Sequence, residues 1–388
     1  MKVEELKSAF ISEYGKPAEA VYFSPGRVNL IGEHTDYNGG SVFPCALSFG
    51  TYLLLRKNGK NVVNFWSLNQ PESTHVILDI LITPLLGKSW VNYPLGVFAQ
   101  FFKRDIEINE GFDLLFWGNV PNGAGLSSSA ALEVVTAFAL NDQLGTEFTR
   151  TELAQIGQKS EHEFALVNCG IMDQFASANG VKDHAIHLNC DTLEFELVPI
   201  NLDGIKIILS NTNSPHKLDA GSYNQRVADC NNAVRFINKI QPIRYLAELT
   251  EFQYESLECV IDDPIAQRRA RHVVEEVQRT SDAVKALKAG DLTLFGQLMN
   301  ASHVSLRDNY EVTGLELDTM AEEAWKIKGV IGSRMTGGGF GGCTVSLVKE
   351  DAIDTFIKEV GAAYEAKIGI KPEFYIAEIG DGACKISE

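Results

Sequence analysis

The chain is 388 residues long and 45% hydrophobic, and its 51 acidic and 34 basic residues give a formal charge of -17. That length supports two or three domains with sizeable cores, and that charge argues against a nucleic-acid or anionic-membrane partner. No apolar run approaches the roughly 18 residues of a membrane span, the first residues lack a signal-peptide pattern, and Cys45, Cys169, Cys190, Cys230, Cys259, Cys343 and Cys384 include no C-x-x-C pair, which fits reduced thiols in a cytoplasm better than a zinc site or a disulfide framework.

Residues 3–14 read as a short amphipathic helix. Residues 51–55, 62–66 and 75–78 have strand character, and turn residues such as Asn58-Gly59 between them predict antiparallel hairpins. A helix is predicted over 90–103, a strand over 111–117, and an apolar helix from the serine-rich loop at 127–129 through Leu140. Thr149-Arg150-Thr151-Glu152 is a capping box that opens a helix to about Phe164. Residues 169–180 read as a loop and short helix, followed by strands over 184–188 and 194–198. The pattern breaks at 201–204, which divides the chain into residues 1–203 and 204–388. The second half opens with a strand at 205–209 and continues with helices over 223–240, 265–287, 291–302 and 315–327. It closes with a strand at 343–348, a helix at 351–366 and a strand at 373–379. Antiparallel strands mixed with helices predict an α+β class, with halves packed through their helices.

Four segments carry chemistry. The first, Gly26-Arg27-Val28-Asn29-Leu30-Ile31-Gly32-Glu33-His34-Thr35-Asp36-Tyr37, crowds four ionisable side chains among apolar residues and glycines. Burying such groups is costly unless a ligand or partner satisfies them, and the set suits a polyhydroxylated or phosphorylated ligand. A structural salt-bridge network of the same residues is the alternative. The second, Gly123-Ala124-Gly125-Leu126-Ser127-Ser128-Ser129, runs straight into a helix. Free N–H groups and the helix dipole favour an anion there, and serine hydroxyls can add hydrogen bonds or a Mg²⁺ ligand. A plain serine N-cap is the alternative, and no Gly-Lys-Ser/Thr of a Walker A loop follows. The third, Gly337-Gly338-Gly339-Phe340-Gly341-Gly342, has five glycines in six positions, more than a tight turn needs. The fourth is Asn168-Cys169-Gly170-Ile171-Met172-Asp173-Gln174-Phe175, in which Asp173 by itself reads as a helix cap.

Taken together, these segments resemble the galactokinases, within the small-molecule kinase superfamily that includes homoserine, mevalonate and phosphomevalonate kinases. The first segment is similar to the galactokinase signature, the serine and glycine loops to the superfamily's second and third motifs, in the expected order. The resemblance runs from about Phe23 to the C-terminal region. It implies a two-domain α+β small-molecule kinase fold with the active site in the interdomain cleft. The implied reaction is ATP-dependent phosphorylation of the C1 hydroxyl of α-D-galactose, the first step of galactose catabolism, with Mg²⁺, by a cytoplasmic monomer. On this resemblance Asp173 is the catalytic aspartate and Arg27 the arginine near the reacting oxygen. Glu33, His34, Asp36, Gly170 and Tyr223 bind the sugar. Gly123, Gly125, Ser127, Ser128 and Ser129 form the phosphate loop, Trp90 and Tyr93 lie near adenine, and Ser129 and Glu161 are the metal ligands. An N-acetylgalactosamine kinase and a non-catalytic sensor are the competing expectations. The serine loop, which is damaged in sensor relatives, is uninterrupted here over residues 125–131.

Overall fold

The computed structural model describes the whole chain except residues 72, 79–80, 88–89, 121–124, 215–219 and 387–388. Gly123, expected in the phosphate loop, lies outside the described residues. In chain order, α1 (Val3–Tyr14) leads to β1 (Ala20–Asn29), β2 (Ser41–Val42), β3 (Pro44–Lys57), β4 (Val62–Ser67) and β5 (Thr74–Ile77). Then come α2 (Asn92–Phe102), β6 (Phe112–Gly118), α3 (Ser128–Leu144), α4 (Arg150–Ser160), α5 (Met172–Asn179), β7 (His184–Asn189) and β8 (Phe195–Pro199). The second half contains β9 (Ile205–Asn211), α6 (Ala220–Ile237), α7 (Glu251–Leu257), α8 (Pro264–Lys288), α9 (Leu292–Ser305) and α10 (Gly314–Trp325). It ends with β10 (Val330–Thr336), β11 (Cys343–Lys349), α11 (Ile353–Ile368), β12 (Glu373–Ala377) and β13 (Cys384–Lys385).

Three sheets organise these elements, in the strand orders β13-β1-β3-β6-β4-β5, β10-β11-β9-β12 and β2-β7-β8. The predicted hairpin across Asn58-Gly59 does not form a strand pair. β6 inserts between β3 and β4, antiparallel to the first and parallel to the second. Residues 112–116 of β6 are buried without interruption, so β6 takes a central place in the sheet, whereas β4 alternates buried and half-buried residues. The hairpin of β4 with β5 does form. β1 carries the start of the first signature, where no strand is predicted from the sequence, and Pro25-Gly26 within it is a local breaker. The break is real but local: the register between β1 and β3 shifts between Pro25 and Arg27. A bulge of this kind re-aims a side chain, and here the re-aimed residue is Arg27.

α3 is buried on nearly every face, as expected of a helix apolar all round, and its N-terminus fixes the serine loop. α8 begins at an Asp263 cap whose carboxylate accepts from the Ile265 and Ala266 N–H groups. Three buried polar residues, His272, Glu276 and Thr280, recur every fourth position and so share one helix face. Beyond β9 the chain does not stay with the second sheet. After β12, Leu47 bridges Ile379 and β13 pairs with β1 at Tyr22 and Phe23, so the C-terminal residues edge the first sheet.

Candidate active site

A cleft of about 570 Å³ gathers residues from all four segments. Arg27, Glu33, His34, Asp36, Trp90, Tyr93, Gly125, Ser127, Ser128, Ser129, Glu161, Gly170, Asp173 and Tyr223 all line it.

At its centre the buried Arg27 guanidinium grips Asp173 with two parallel bonds, Nε to Oδ1 at 2.8 Å and Nη2 to Oδ2 at 2.9 Å. The remaining terminal nitrogen donates to the Gly125 carbonyl at 2.8 Å. This bidentate geometry fixes both planes. Ser127 donates to Asp173 Oδ2 at 2.5 Å. Ser127 stands at the N-cap position of α3, yet its φ is 60° and its side chain makes no capping bond. The serine is thus withheld from the ordinary cap and turned toward Asp173, and a left-handed non-glycine residue of this kind stores strain. Asp173 does not act as a simple helix cap either, since it sits inside the first turn of α5 with its carboxylate in the cleft.

Beyond Asp173, Asp36 lies in a short helical turn against Gly170. Burial, and then the charge of Asp173, push the Asp36 carboxyl up to about 7. His34 has a φ of 62°, and its Nδ1 meets the Tyr37 hydroxyl at 2.8 Å. Burial holds its pKa down at about 3, so the imidazole is neutral. The Tyr223 ring lies 5.7 Å from that of His34. Glu33 differs from these. It is 1% exposed and bonds to Arg334 Nη2 at 2.6 Å, Asn29 Nδ2 at 2.6 Å and the Gly337 N–H at 2.8 Å. The salt-bridge network expected as an alternative therefore exists at Glu33, with Arg334 rather than Arg27 as its cation. It ties the first segment to the glycine loop. Gly337 is left-handed (φ 83°), and a Cβ there would stand 2.9 Å from the Gly125 carbonyl, so the two loops touch through backbone alone.

On the opposite side, Trp90 packs edge-on against Phe116 at 5.6 Å. The Tyr93 carbonyl accepts from Ser160 Oγ at 2.6 Å. Trp90 precedes α2, which starts two residues later than the predicted helix. Between the aromatics and Asp173 lies an acidic patch. Gln174 Nε2 bridges Glu133 at 2.9 Å and Glu161 at 2.7 Å. Burial, then the Asp173 charge, push Glu161 up to about 7, while the Ser129 hydroxyl bonds to it and pulls down. Glu133 is pushed well above the usual carboxylate range by burial and by Glu161. Glu133 Oε1 is buried without a hydrogen-bond partner among the described residues. Buried carboxylates short of positive charge, beside a hydroxyl, suit a hard cation that draws its other ligands from phosphate and water.

Three relatives, two curated and one of solved structure, cover at least 99% of the chain. A galactokinase of Clostridium beijerinckii is 50% identical over 387 residues, 99% of each chain, and one of Streptococcus suis is 45% identical over the full length of both. The crystal structure of Lactococcus lactis galactokinase complexed with galactose superimposes with a TM-score of 0.97 at 44% identity, covering 99% of this chain and 100% of that one. The chain belongs to the galactokinase family. Its segments match the galactokinase galactose-binding signature at residues 8–57 and the GHMP kinase N-terminal and C-terminal domains at 92–181 and 283–366. As a galactokinase-family member it is an ATP-dependent small-molecule kinase with the α+β fold of that superfamily. A mevalonate kinase of Methanococcus jannaschii, 18% identical with a TM-score of 0.64, shares the fold.

Arg334, Glu133 and Gln174 escaped the sequence reading. Arg334 is the lone charge in a buried strand just before the glycine loop, and Glu133 lies four residues after Ser129 on the same face of α3; both patterns are signals in the chain.

Proposed function

We propose that this cleft transfers the γ-phosphoryl group of ATP to the C1 hydroxyl of α-D-galactose, giving galactose 1-phosphate and ADP. The observation that carries this reading is the convergence of Arg27 and Ser127 on one carboxylate, Asp173, between a polar pocket and an aromatic one. In the reaction a bond forms between the sugar O1 and the γ-phosphorus while the bond to the β,γ-bridging oxygen breaks. Asp173 accepts the hydroxyl's hydrogen bond, orients O1, and takes its proton as the new bond makes that oxygen acidic. Transfer of this kind is loose and electrostatic, so orientation and charge neutralisation outweigh early deprotonation. Arg27 holds Asp173 in place and presents positive charge where phosphate negative charge gathers.

Asp36, His34 and Tyr223, with the Gly170 backbone, read the sugar hydroxyls, and Glu33 holds the floor of that pocket. Galactose and glucose differ in one hydroxyl's orientation, and buried polar groups left unpaired by the wrong epimer supply up to about 10⁴–10⁵ in selectivity. Ser127 and Ser128 with the Gly125 backbone hold the phosphates, and Trp90 and Tyr93 flank the base. Ser129 and Glu161 would hold Mg²⁺, with Glu133 and Gln174 behind them. The ion, when bound, neutralises charge on the β- and γ-phosphates. The same reading makes the protein a monomer of the cytoplasm, divided at residues 203/204, with no nucleic-acid or membrane partner. Among the described residues no helix is long and apolar enough to cross a membrane.

An ADP-release assay over a sugar panel tests the proposal. Galactose should drive release, with glucose and N-acetylgalactosamine far behind. Sugar-independent release, or preference for N-acetylgalactosamine, would refute it.

A further inference from the structure

We propose that Gln174 is a positioning residue of the metal site: its amide clamps the Glu161 carboxylate against Glu133, so that consecutive residues of one helical turn, Asp173 and Gln174, fix the reacting sugar oxygen and the Mg²⁺ ligand together. The proposal rests on the reading that Glu161 holds Mg²⁺.

Glu161 lines the cleft, whereas Glu133 and Gln174 are fully buried behind it. Gln174 Nε2 donates to Glu161 Oε2 at 2.7 Å and to Glu133 Oε2 at 2.9 Å, which uses both of its hydrogens. A flipped amide would set its oxygen against two carboxylate oxygens, so the acceptors fix which way the amide points. The cost shows at its other end: Gln174 Oε1 is buried without a hydrogen-bond partner among the described residues. An orphaned buried acceptor calls for an explanation, and here it is the orientation that the carboxylates impose. Among the described residues neither carboxylate is paired with a Lys, Arg or His. An arginine in this place would cancel the negative charge that draws a cation. An amide fixes the Glu161 carboxylate and leaves that charge in place, which is what an outer-shell partner of a metal ligand must do.

Helix packing makes the contact possible. Gly157 lies one turn before Glu161 on the same face of α4, and a Cβ there would stand 3.1 Å from Gln174 Cγ and 3.3 Å from Glu133 Cβ. A glycine inside a helix is unfavourable. This one marks the point where α3, α4 and α5 come close enough for the three side chains to meet. Directly at Glu161 the helical ladder widens into a π-helical turn, Glu161–Ala165, a feature frequent at functional sites. The neighbouring helices, rather than α4 alone, therefore hold the carboxylate. Gln174 follows Asp173 in the first turn of α5. Asp173 turns to Arg27 and Ser127, and Gln174 to Glu133 and Glu161, so one rigid turn registers both halves of the chemistry.

Calorimetric binding of adenylyl imidodiphosphate, a non-hydrolysable ATP analogue, with and without Mg²⁺ reads the metal's contribution without turnover. Glu161→Gln tests the underlying reading. It should erase the tightening that Mg²⁺ gives, and a full tightening in that variant overturns the placement of the metal at Glu161. Gln174→Met keeps the side-chain length and removes the donor. It should weaken binding of the Mg²⁺-loaded analogue by about 10- to 100-fold, the usual cost of losing an outer-shell partner, while galactose and the metal-free analogue bind as in wild type. An undiminished Mg²⁺ effect in folded Gln174→Met, with Glu161→Gln impaired, overturns the proposal and spares the reading beneath it. Equal losses for galactose and for the analogue in both forms also overturn it, in favour of a purely structural role. If Gln174→Met fails to fold, adding Glu133→Gln relieves the stranded carboxylate, and Glu133→Gln alone, which keeps an acceptor for Gln174, is its reference. The same loss is expected between those two, and no loss overturns the proposal.

Discussion

Gly170→Ala displaces the sugar reader Asp36 without touching its charge and leaves the Gly170 backbone groups in the chain. A Cβ built on Gly170 would stand 1.9 Å from Asp36 Oδ2, 2.1 Å from its Cγ and 2.8 Å from its Cβ. Ordinary carbon–oxygen contact is about 3.4 Å or more, so the carboxylate must retreat by roughly 1.5 Å. Rotating χ1 does not suffice, because the Asp36 Cβ itself is too close and only a backbone shift relieves it. That backbone is anchored by Thr35 Oγ1, which donates to the Gly32 and Ser41 carbonyls at 2.9 and 2.8 Å. Misplacing a positioned group by about 1 Å costs on the order of 10²-fold in rate. The expected result is a galactose kcat/KM down by about 10²-fold with nucleotide affinity within a few fold of wild type. Coupled ADP release and a fluorescent nucleotide titration give the two readouts. Unchanged galactose kinetics in a folded variant would show that Asp36 does not need its place, and equal losses for sugar and nucleotide would show a collapsed cleft rather than a displaced reader.

Three further outcomes follow from the site. Asp173→Asn should lower kcat by about 10²–10⁴ while calorimetry still detects galactose binding; near-normal kcat would remove Asp173 from the chemistry. Arg334→Met leaves Glu33 as a buried charge without its cation, at a cost of about 3–5 kcal/mol, and adding Glu33→Gln should recover part of the lost melting temperature; no recovery would mean that packing rather than charge explains the loss. Asp36, raised to about 7 by burial and by Asp173, binds its proton more tightly folded than unfolded, so its contribution to unliganded stability is lost as pH rises toward that value. Sugar hydroxyls donating to it favour the ionised form. Galactose binding near neutral pH should then release protons and tighten as pH rises through about 7, seen by calorimetry in buffers of different ionisation enthalpy; proton uptake would reverse the assignment.

The charged first signature, the serine loop, the glycine run and the Asp173 segment were legible in the chain because each breaks a local rule. Charges sit among apolar residues, glycines exceed any turn's need, and a serine run opens a helix. Strongly periodic segments such as α8 and strongly capped ones such as α4 were legible for the same local reasons. The order of strands was not, because β6 enters between β3 and β4 by burying five consecutive residues, Asp113 among them through its pairing with Arg56, a preference expressed only against neighbouring strands. Nor did the chain reveal which cation would answer Glu33. Arg27 is six residues away and Arg334 about three hundred, yet the bulge at Pro25–Arg27 turns Arg27 to Asp173, and β10 carries Arg334 to Glu33. Sequence by itself thus determined which residue types were set aside for a polar ligand and a phosphate. Only tertiary structure decided their pairing, because ion pairs and hydrogen bonds depend on distances of about 3 Å that sheet register and helix packing set.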